Sequence, residues 1–183
     1  MDVDVIFRPE SQQQVFRMLL EAISRPGTIQ KLPEAFHQSR ASMAVLATLL
    51  DAEVKLADPY ALLPQRAWPM LQAVASSPEH CDYLICEGSI APDFTPRLGT
   101  LSCPDESATI ILDVESLNGK AVQLRLTGPG IDGEVSVGID GLHGDWLAAR
   151  QSWVATFPLG VDMVITDGDQ ILGLPRTTRM EVN

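Results

Sequence analysis

The hydrophobic pattern of this chain changes near residue 82, and this change constrains the fold more than any other feature of the sequence. Before it, apolar residues recur at the i, i+3, i+4, i+7 spacing of an amphipathic helix. The clearest set is Phe16, Leu19, Leu20 and Ile23. After it, apolar runs are short or alternating and are bounded by Gly, Pro and Asp, which is typical of β-strands. The sequence therefore predicts a single α/β or α+β layer structure, and of these we favour an α/β fold with a mixed sheet flanked by helices.

Individual elements follow from these periods and from the residues that end them. Helices are predicted over residues 11–24, 41–51, 66–76 and 143–153. Strands are predicted over residues 53–57, 83–86, 108–114, 121–127, 135–139, 161–166 and 170–174. Ser11 and Gln14 have capping-box spacing at the first helix, and Pro26-Gly27 after it suits a type II turn. Asp167-Gly168 between two apolar runs predicts a type I′ turn and a C-terminal β-hairpin.

The charge and composition of the chain limit its partners and its location. It has 24 acidic and 13 basic residues and a formal charge of -11, which opposes binding to nucleic acid or to an anionic membrane surface. No apolar run approaches the roughly 18 residues of a membrane span, and the first ten residues are acidic where a signal peptide would be basic. Three cysteines, an odd number, predict reduced thiols and a cytoplasmic protein. The length suits one domain, residues 1–183, and a mean hydropathy of +0.08 beside this charge favours an oligomer or a complex subunit.

A glycine-rich segment resembles the dinucleotide-binding fingerprint in its letters. Residues 128–133 read GPGIDG, which matches G-x-G-x-x-G, and a predicted strand precedes them. The fingerprint needs a helix N-terminus after it to receive the pyrophosphate, whereas a strand pattern follows here. We therefore favour a glycine-rich connection between two strands.

Motifs for metals and nucleophiles are missing from the sequence. The candidate soft ligands are His37, His80, His143, Cys81, Cys86 and Cys103. They show neither the spacing of a helical histidine pair nor a recognised zinc spacing, so buried and inert thiols are the better interpretation. There is no G-x-S-x-G elbow and no P-loop. We therefore predict no catalytic residue, no metal and no cofactor.

Polar clusters in three segments supply the candidate ligand-binding residues. These are Arg25, Asp162, Arg176, Thr177 and Thr178. Guanidinium groups and hydroxyls in residues 175–179 (PRTTR) can gather around a phosphate or a carboxylate. Solvated arginines on an edge strand, and an Arg25 that complements the end of its helix, are the alternatives. Asp162 lies in an apolar strand, where an unpaired carboxylate is costly, so a structural salt bridge to Arg176 is the alternative there.

Five stretches of the chain match a known family, in the family's order. They are FRMLLEAISRPGT (16–28), GTLSCPDESATIIL (99–112), LRLTGPGI (124–131), FPLGVDMVIT (157–166) and LPRTTRMEV (174–182). On these stretches the chain resembles the PhnH family, a subunit of the bacterial carbon–phosphorus lyase core complex for phosphonate breakdown. The match reaches from near the N-terminus to the last residues, and its C-terminal pair is the most specific.

The resemblance implies a fold, partners and a pathway. The fold would be similar to the large domain of pyridoxal-phosphate transferases, without the cofactor or its Schiff-base lysine. The isolated protein would be a homodimer, and in the core complex it would associate with the G, I and J subunits. That assembly, with an ATPase-like partner, would attach ATP-derived ribose triphosphate to the phosphonate and displace adenine, and the catalytic residues would lie on other subunits.

Two functions of different classes follow from these observations. The first is an accessory subunit that is needed by the assembly and has no turnover of its own. The second is a phosphate-, phosphonate- or nucleotide-binding subunit that contributes to an active site through Arg176 and its neighbours. A concave pocket lined by these side chains would favour the second function, and a flat apolar surface the first.

Overall fold

A computed structural model describes residues 3–36 and 39–182 of the chain, with the backbone alone at residues 3 and 4. The helices are α1 (Val3–Ile6), α2 (Pro9–Ser24), α3 (Ala41–Leu49), α4 (Trp68–Leu71) and α5 (Asp145–Trp153). The strands are β1 (Ile29–Lys31), β2 (Lys55–Ala57), β3 (Val74–Ala75), β4 (Tyr83–Glu87), β5 (Thr109–Asp113), β6 (Val122–Thr127), β7 (Val135–Ile139), β8 (Asp162–Thr166), β9 (Gln170–Leu174) and β10 (Arg179–Val182).

Seven strands form one mixed sheet in the order β1-β9-β8-β5-β4-β2-β3. The five strands from β8 to β3 in this order run parallel, and β9 and β1 are each antiparallel to their neighbour. A separate antiparallel sheet has the order β10-β6-β7. The mixed sheet and its flanking helices confirm the predicted α/β class. The likeness to pyridoxal-phosphate transferases stays a prediction.

Both faces of the mixed sheet are buried, which explains why its central strands read as continuous apolar runs. On β5, Ile110 and Leu112 belong to the core cluster that contains Trp146 of α5 and the inner side of the small sheet. Ile111, between them, belongs to the cluster formed by α2 and α3. The fold thus has three layers, with helices α1 to α4 on one side of the sheet and α5 with the small sheet on the other.

The start of α2 differs from the prediction, whereas its end agrees with it. The helix begins at Pro9 and has no side-chain cap, so Ser11 lies inside it and the predicted capping box is wrong. A proline is well suited to the first turn of a helix because its φ is fixed near the helical value. The N–H that it lacks would have no acceptor within the helix at that position. The other end is as predicted: the Thr28 N–H donates to the Arg25 carbonyl at 3.1 Å, and Gly27 has a φ of +91°, as a type II turn requires.

The buried face of α2 is rotated away from the predicted stripe. Leu19 is buried as predicted, together with the smaller Ala22. Phe16 and Leu20 are 46% and 55% exposed, so this part of the prediction is wrong. The backbone of α2 at Ala22 approaches Gly173 of β9 closely, so this face of the helix lies against the sheet, whereas Phe16 and Leu20 lie away from it.

The hairpin of β8 and β9 forms, but its turn is not the predicted type I′ turn. Residues 167–170 connect the last paired residues of the two strands. Gly168 lacks the left-handed φ that a type I′ turn needs. The Asp167 carboxylate organises the loop instead, since its Oδ1 accepts hydrogen bonds from the N–H groups of Asp169 at 3.1 Å and Gln170 at 2.9 Å. The hairpin is followed by β10, which joins the other sheet.

Other differences concern short elements. The helix predicted over residues 66–76 is a single turn, α4, because Gln72 adopts a left-handed φ of +61° directly after it. The short elements α1, β1, β3 and β10 were not predicted. Residues 128–133 connect the antiparallel β6 and β7, which confirms the interpretation as a strand connection.

The cysteines give a first testable prediction. Cys81 and Cys86 are fully buried, whereas Cys103 is partly exposed. Burial raises the pKa of the Cys81 thiol to about 12 and raises that of Cys86 well above its usual range. Because the thiolate is the reactive form, we expect Ellman's reagent to modify one thiol quickly in the native protein and three in denaturant. Fast modification of two or three native thiols would contradict this.

Candidate functional site

Two of the predicted site residues, Asp162 and Arg176, form a salt bridge. Nη2 of Arg176 lies 2.6 Å from Oδ2 of Asp162, and Nε donates to both carboxylate oxygens. Nη1 donates to the carbonyls of Pro104 at 3.0 Å and Pro158 at 3.2 Å, and Nη2 also donates to Ser107 Oγ at 2.6 Å. Every N–H of this guanidinium is therefore used within the chain. The structural salt bridge considered from the sequence is present.

The other three predicted site residues have separate surroundings. Arg25 is exposed and pairs with Glu21 on α2 at 2.8 Å. Thr177 is exposed, whereas Thr178 is buried in the turn between β9 and β10. The structure brings Asp162 and Arg176 together, and a joint ligand-binding role of all five residues stays a prediction.

A buried arginine that the sequence did not reveal supports the same turn. Arg150 of α5 is 2% exposed, and its Nη2 donates to the carbonyls of Pro175 at 2.6 Å and Thr178 at 3.1 Å. Burial lowers the pKa of its guanidinium to about 10. In the sequence Arg150 looks like a polar residue on an amphipathic helix. Its contacts show that it ties α5 to the turn.

A second polar centre lies at the carboxyl edge of the parallel strands, where open α/β sheets usually bind ligands. Asp113, the last residue of β5, is buried. Its Oδ2 accepts a hydrogen bond from Nε of Arg40 at 2.6 Å, and Ser42 Oγ lies 3.5 Å from the same oxygen. Its Oδ1 accepts a hydrogen bond from Thr166 Oγ1 at 3.2 Å. The N-terminus of α3 and the ends of β5 and β8 thus meet at one carboxylate.

This carboxylate lies in the wall of a cavity of about 230 Å³, which we call the edge chamber. Its polar lining consists of Ser39, Arg40, Ser42, Arg66 and Asp113. Its apolar lining includes Met43, Leu62, Leu63, Met70 and Ile85. A mainly apolar cavity with a few convergent polar groups is the usual form of a small-molecule site.

On its other side, Arg40 borders a more open and acidic cleft. Glu87, Ser89 and Glu115 line this cleft together with Arg40 and Asp113. Arg40 and Asp113 therefore line both spaces, whereas Arg66 lines only the chamber and the additional carboxylates line only the cleft. The two spaces would favour ligands of opposite charge.

Asp113 gives a prediction of pH dependence. Burial is the largest influence on its pKa and raises it, more than the hydrogen bond from Arg40 lowers it. A carboxyl whose pKa is raised on folding stabilises the folded state most below its unfolded pKa, and this stabilisation is lost as the pH rises through the folded pKa. We therefore expect the free energy of unfolding of the native protein, relative to Asp113→Asn, to fall from about pH 4 upwards. Urea titrations of both proteins between pH 3.5 and 7 measure this, and a rising difference would contradict it.

The sequence contains two indications of this polar centre, and neither of them belongs to a known functional motif. Asp113 ends the apolar run of residues 108–112, and an acid at the carboxyl end of a buried strand lies at the usual ligand-binding edge. Arg40 directly precedes the predicted helix of residues 41–51. The distance of 73 positions between the two residues hides their contact in the sequence.

Within residues 3–36 and 39–182, no helix is both long and apolar enough to span a bilayer. In the same part of the chain, His, Cys, Asp and Glu side chains form no group of three that could hold a metal ion.

Comparison with known proteins places the chain in a family. The family model described as "Bacterial phosphonate metabolism protein (PhnH)" matches residues 7–181. A "Putative C-P lyase subunit protein HtxG" of Stutzerimonas stutzeri is 36% identical over 177 residues, which cover 97% of this chain and 89% of that protein. An "Alpha-D-ribose 1-methylphosphonate 5-triphosphate synthase subunit PhnH" of Rhizobium meliloti (strain 1021) is 33% identical over 180 residues, which cover 92% and 90%. The chain therefore belongs to the PhnH family.

Proposed function

We propose that this chain is an accessory subunit of a C–P lyase complex, without independent turnover. The observation that carries the proposal is the match over nearly the whole chain to two proteins that are both named as subunits. The assembly would form ribose 1-phosphonate 5-triphosphate from ATP and a phosphonate. The chain would act in the cytoplasm, as one domain of residues 1–183.

Exposed apolar side chains support a role in assembly. The large ones are Phe16, Leu20, Val74, Ile90, Leu101, Phe157 and Val182. Five of these seven lie in the stretches that carry the family resemblance, and Val74 and Ile90 do not. Single exposed apolar residues are normal on a protein surface, so their grouping matters more than their number.

Phe16 and Leu20 are grouped in this sense. They lie one turn apart on α2 and line a groove of about 250 Å³. Leu49 at the end of α3 and the first residues of β4, β5 and β8 also line this groove. Adjacent apolar side chains beside a groove are typical of protein–protein contacts. We define the α2 face by Phe16 and Leu20 and propose that a partner covers it.

The proposed partners are a second copy of the chain when it is alone, and the G, I and J subunits in the core complex. Size exclusion with light scattering, on the chain alone and mixed with these subunits, tests both associations. We expect a dimer in the first case and co-elution in the second. Independent elution of the chain under all conditions would contradict the proposal.

A double variant, Phe16→Ser with Leu20→Ser, tests the α2 face in the same assays. Because both side chains are exposed, the variant should fold, and a melting curve checks this. It should lose the contact that the α2 face makes, whether to the second copy or to another subunit. Val74→Ser is the matched control, since Val74 is equally exposed but lies on β3 at the edge of the sheet. Unchanged association of the double variant would remove the α2 face from the proposal.

The alternative is a direct phosphate-, phosphonate- or nucleotide-binding role through Arg176 and its neighbours. It has less support, because all donors of Arg176 bond within the chain. Calorimetry of the chain and of the complex with ATP and with alkylphosphonates tests it. Binding that is lost in Thr177→Ala, an exposed position outside the salt bridge, would favour this alternative over the purely accessory role.

A further inference from the structure

The edge chamber contains unused cationic groups in a strongly acidic protein. Asp113 accepts a hydrogen bond from Nε of Arg40 only. The four N–H groups on the two terminal nitrogens of Arg40 have no acceptor among the described residues. Arg66 forms neither an ion pair nor a hydrogen bond with any described residue. The chamber is thus lined by two guanidinium groups and one carboxylate, which is itself already paired.

The groups beside these arginines suit an anion as well. Ser39 and Ser42 line the same space, and both residues are buried. Ser42 lies in the first turn of α3, whose N-terminal end carries the positive end of the helix dipole. Guanidinium forks, hydroxyls and a helix N-terminus are the groups that proteins use for phosphates, phosphonates and carboxylates.

The salt bridge to Asp113 has a positioning role in this arrangement. A guanidinium is planar, so fixing Nε on a buried carboxylate also fixes the plane of the two terminal nitrogens. The carboxylate is held in turn by Thr166 Oγ1. Arg40 therefore keeps a defined orientation at the chamber wall although its side chain is largely exposed.

The rest of the chamber suits an apolar group. Met43, Leu62, Leu63 and Ile85 line it, and its volume is about 230 Å³. An apolar cavity of about 150 Å³ can hold benzene, so this chamber can hold a single ring or a short branched chain. Methionine side chains adapt easily to different ligand shapes.

We propose that the edge chamber binds an organic oxyanion, a molecule with a ring-sized apolar body and a phosphate, phosphonate or carboxylate group. The oxyanion contacts Arg40 and Arg66, and the apolar body lies against Met43 and Leu62. The acidic residues Glu87 and Glu115 line the neighbouring cleft and are not part of the chamber lining. This site does not depend on the proposed subunit role.

Calorimetry of the full chain with phenylphosphonate tests the proposal. We expect saturable binding with one site per chain, at least about tenfold tighter than binding of inorganic phosphate or of benzyl alcohol, because each control lacks one half of the ligand. Phenyl phosphate and benzoate, measured in parallel, distinguish the oxyanions. The doubly charged groups should bind more tightly than benzoate, since two guanidinium groups face them. No saturable binding of any of the three up to about 10 mM would overturn the proposal.

Three variants locate the site. Arg66→Ala should weaken binding about tenfold to a hundredfold by removing a charged hydrogen-bond donor, and it should not affect folding because Arg66 is exposed and unpaired among the described residues. Arg40→Gln should weaken binding at least as much, provided that its melting curve shows a folded protein. Arg17→Ala, at an exposed arginine of α2 outside the chamber, should bind as the native protein does. Equal loss in Arg17→Ala, or none in Arg66→Ala, would overturn the assignment to the chamber. Because association with other subunits is measured separately, either proposal can fail without the other.

Discussion

Replacing Arg176 with alanine is expected to lower the free energy of unfolding by about 3–5 kcal/mol. The substitution leaves the Asp162 carboxylate, which is mostly shielded from solvent, without its cationic partner. It also removes the donors to the carbonyls of Pro104 and Pro158 and to Ser107 Oγ. Since Arg176 joins the turn after β9 to two loops, its loss disturbs three segments together. Urea denaturation at neutral pH measures the change.

Two further substitutions control this experiment. Arg25→Ala removes an exposed ion pair between residues one helical turn apart, and it should change the free energy of unfolding by about 0.5 kcal/mol or less. Arg176→Lys keeps the charge but cannot reproduce the five donors of the fork, so it should lie between alanine and the native protein. A loss below about 1 kcal/mol in Arg176→Ala would show that the network is not essential for stability.

Replacing Gly173 with alanine is expected to destabilise the fold by about 3 kcal/mol. A Cβ at this position would lie 2.5 Å from the carbonyl carbon of Ala22 and 2.7 Å from the nitrogen of Ile23. Both atoms belong to the backbone of α2, so no side-chain rotation can relieve the overlap. The helix would have to move away from β9 and from the core cluster that Leu19 helps to form. Thermal and urea denaturation of the variant measure the effect.

Gly168→Ala is the matched control for this variant. A Cβ at Gly168 would have no atom within 4 Å, and the backbone there does not adopt a left-handed φ. Its stability should equal or slightly exceed that of the native protein, because alanine reduces the entropy of the unfolded chain. If the two alanine variants were equally stable, the close approach of α2 to β9 would not be needed for packing.

Some interactions could be predicted because a local pattern left few physical choices. A carboxylate within an apolar strand is costly without a partner, and Asp162 does pair with Arg176. The glycine-rich segment of residues 128–133 lacked a following helix, and it is a strand connection. The turn at Pro26-Gly27 followed from the φ values that these residues favour.

Other features could not be predicted, because they depend on what lies beside each element in space. The periodicity of α2 correctly indicated a helix, but Phe16 and Leu20 face outward because the close contact of Ala22 with Gly173 determines the inner face. The type I′ turn failed at Gly168 because the Asp167 side chain offered a competing set of hydrogen bonds. Periodicity and turn preferences describe single segments, and such competition arises only between segments or within a completed loop.

The amino-acid sequence by itself determined the class of fold, the main elements and the family, because these follow from residue periodicity and from local matches along the chain. Only the tertiary structure decided where the polar groups meet. Arg40 and Asp113 are 73 positions apart and share a hydrogen bond only because α3 is packed against the carboxyl end of β5. Arg66, in the turn before α4, lies at the wall of the same edge chamber. A binding site depends on distances between segments, and these are set when the helices and the sheet bury their apolar faces against each other.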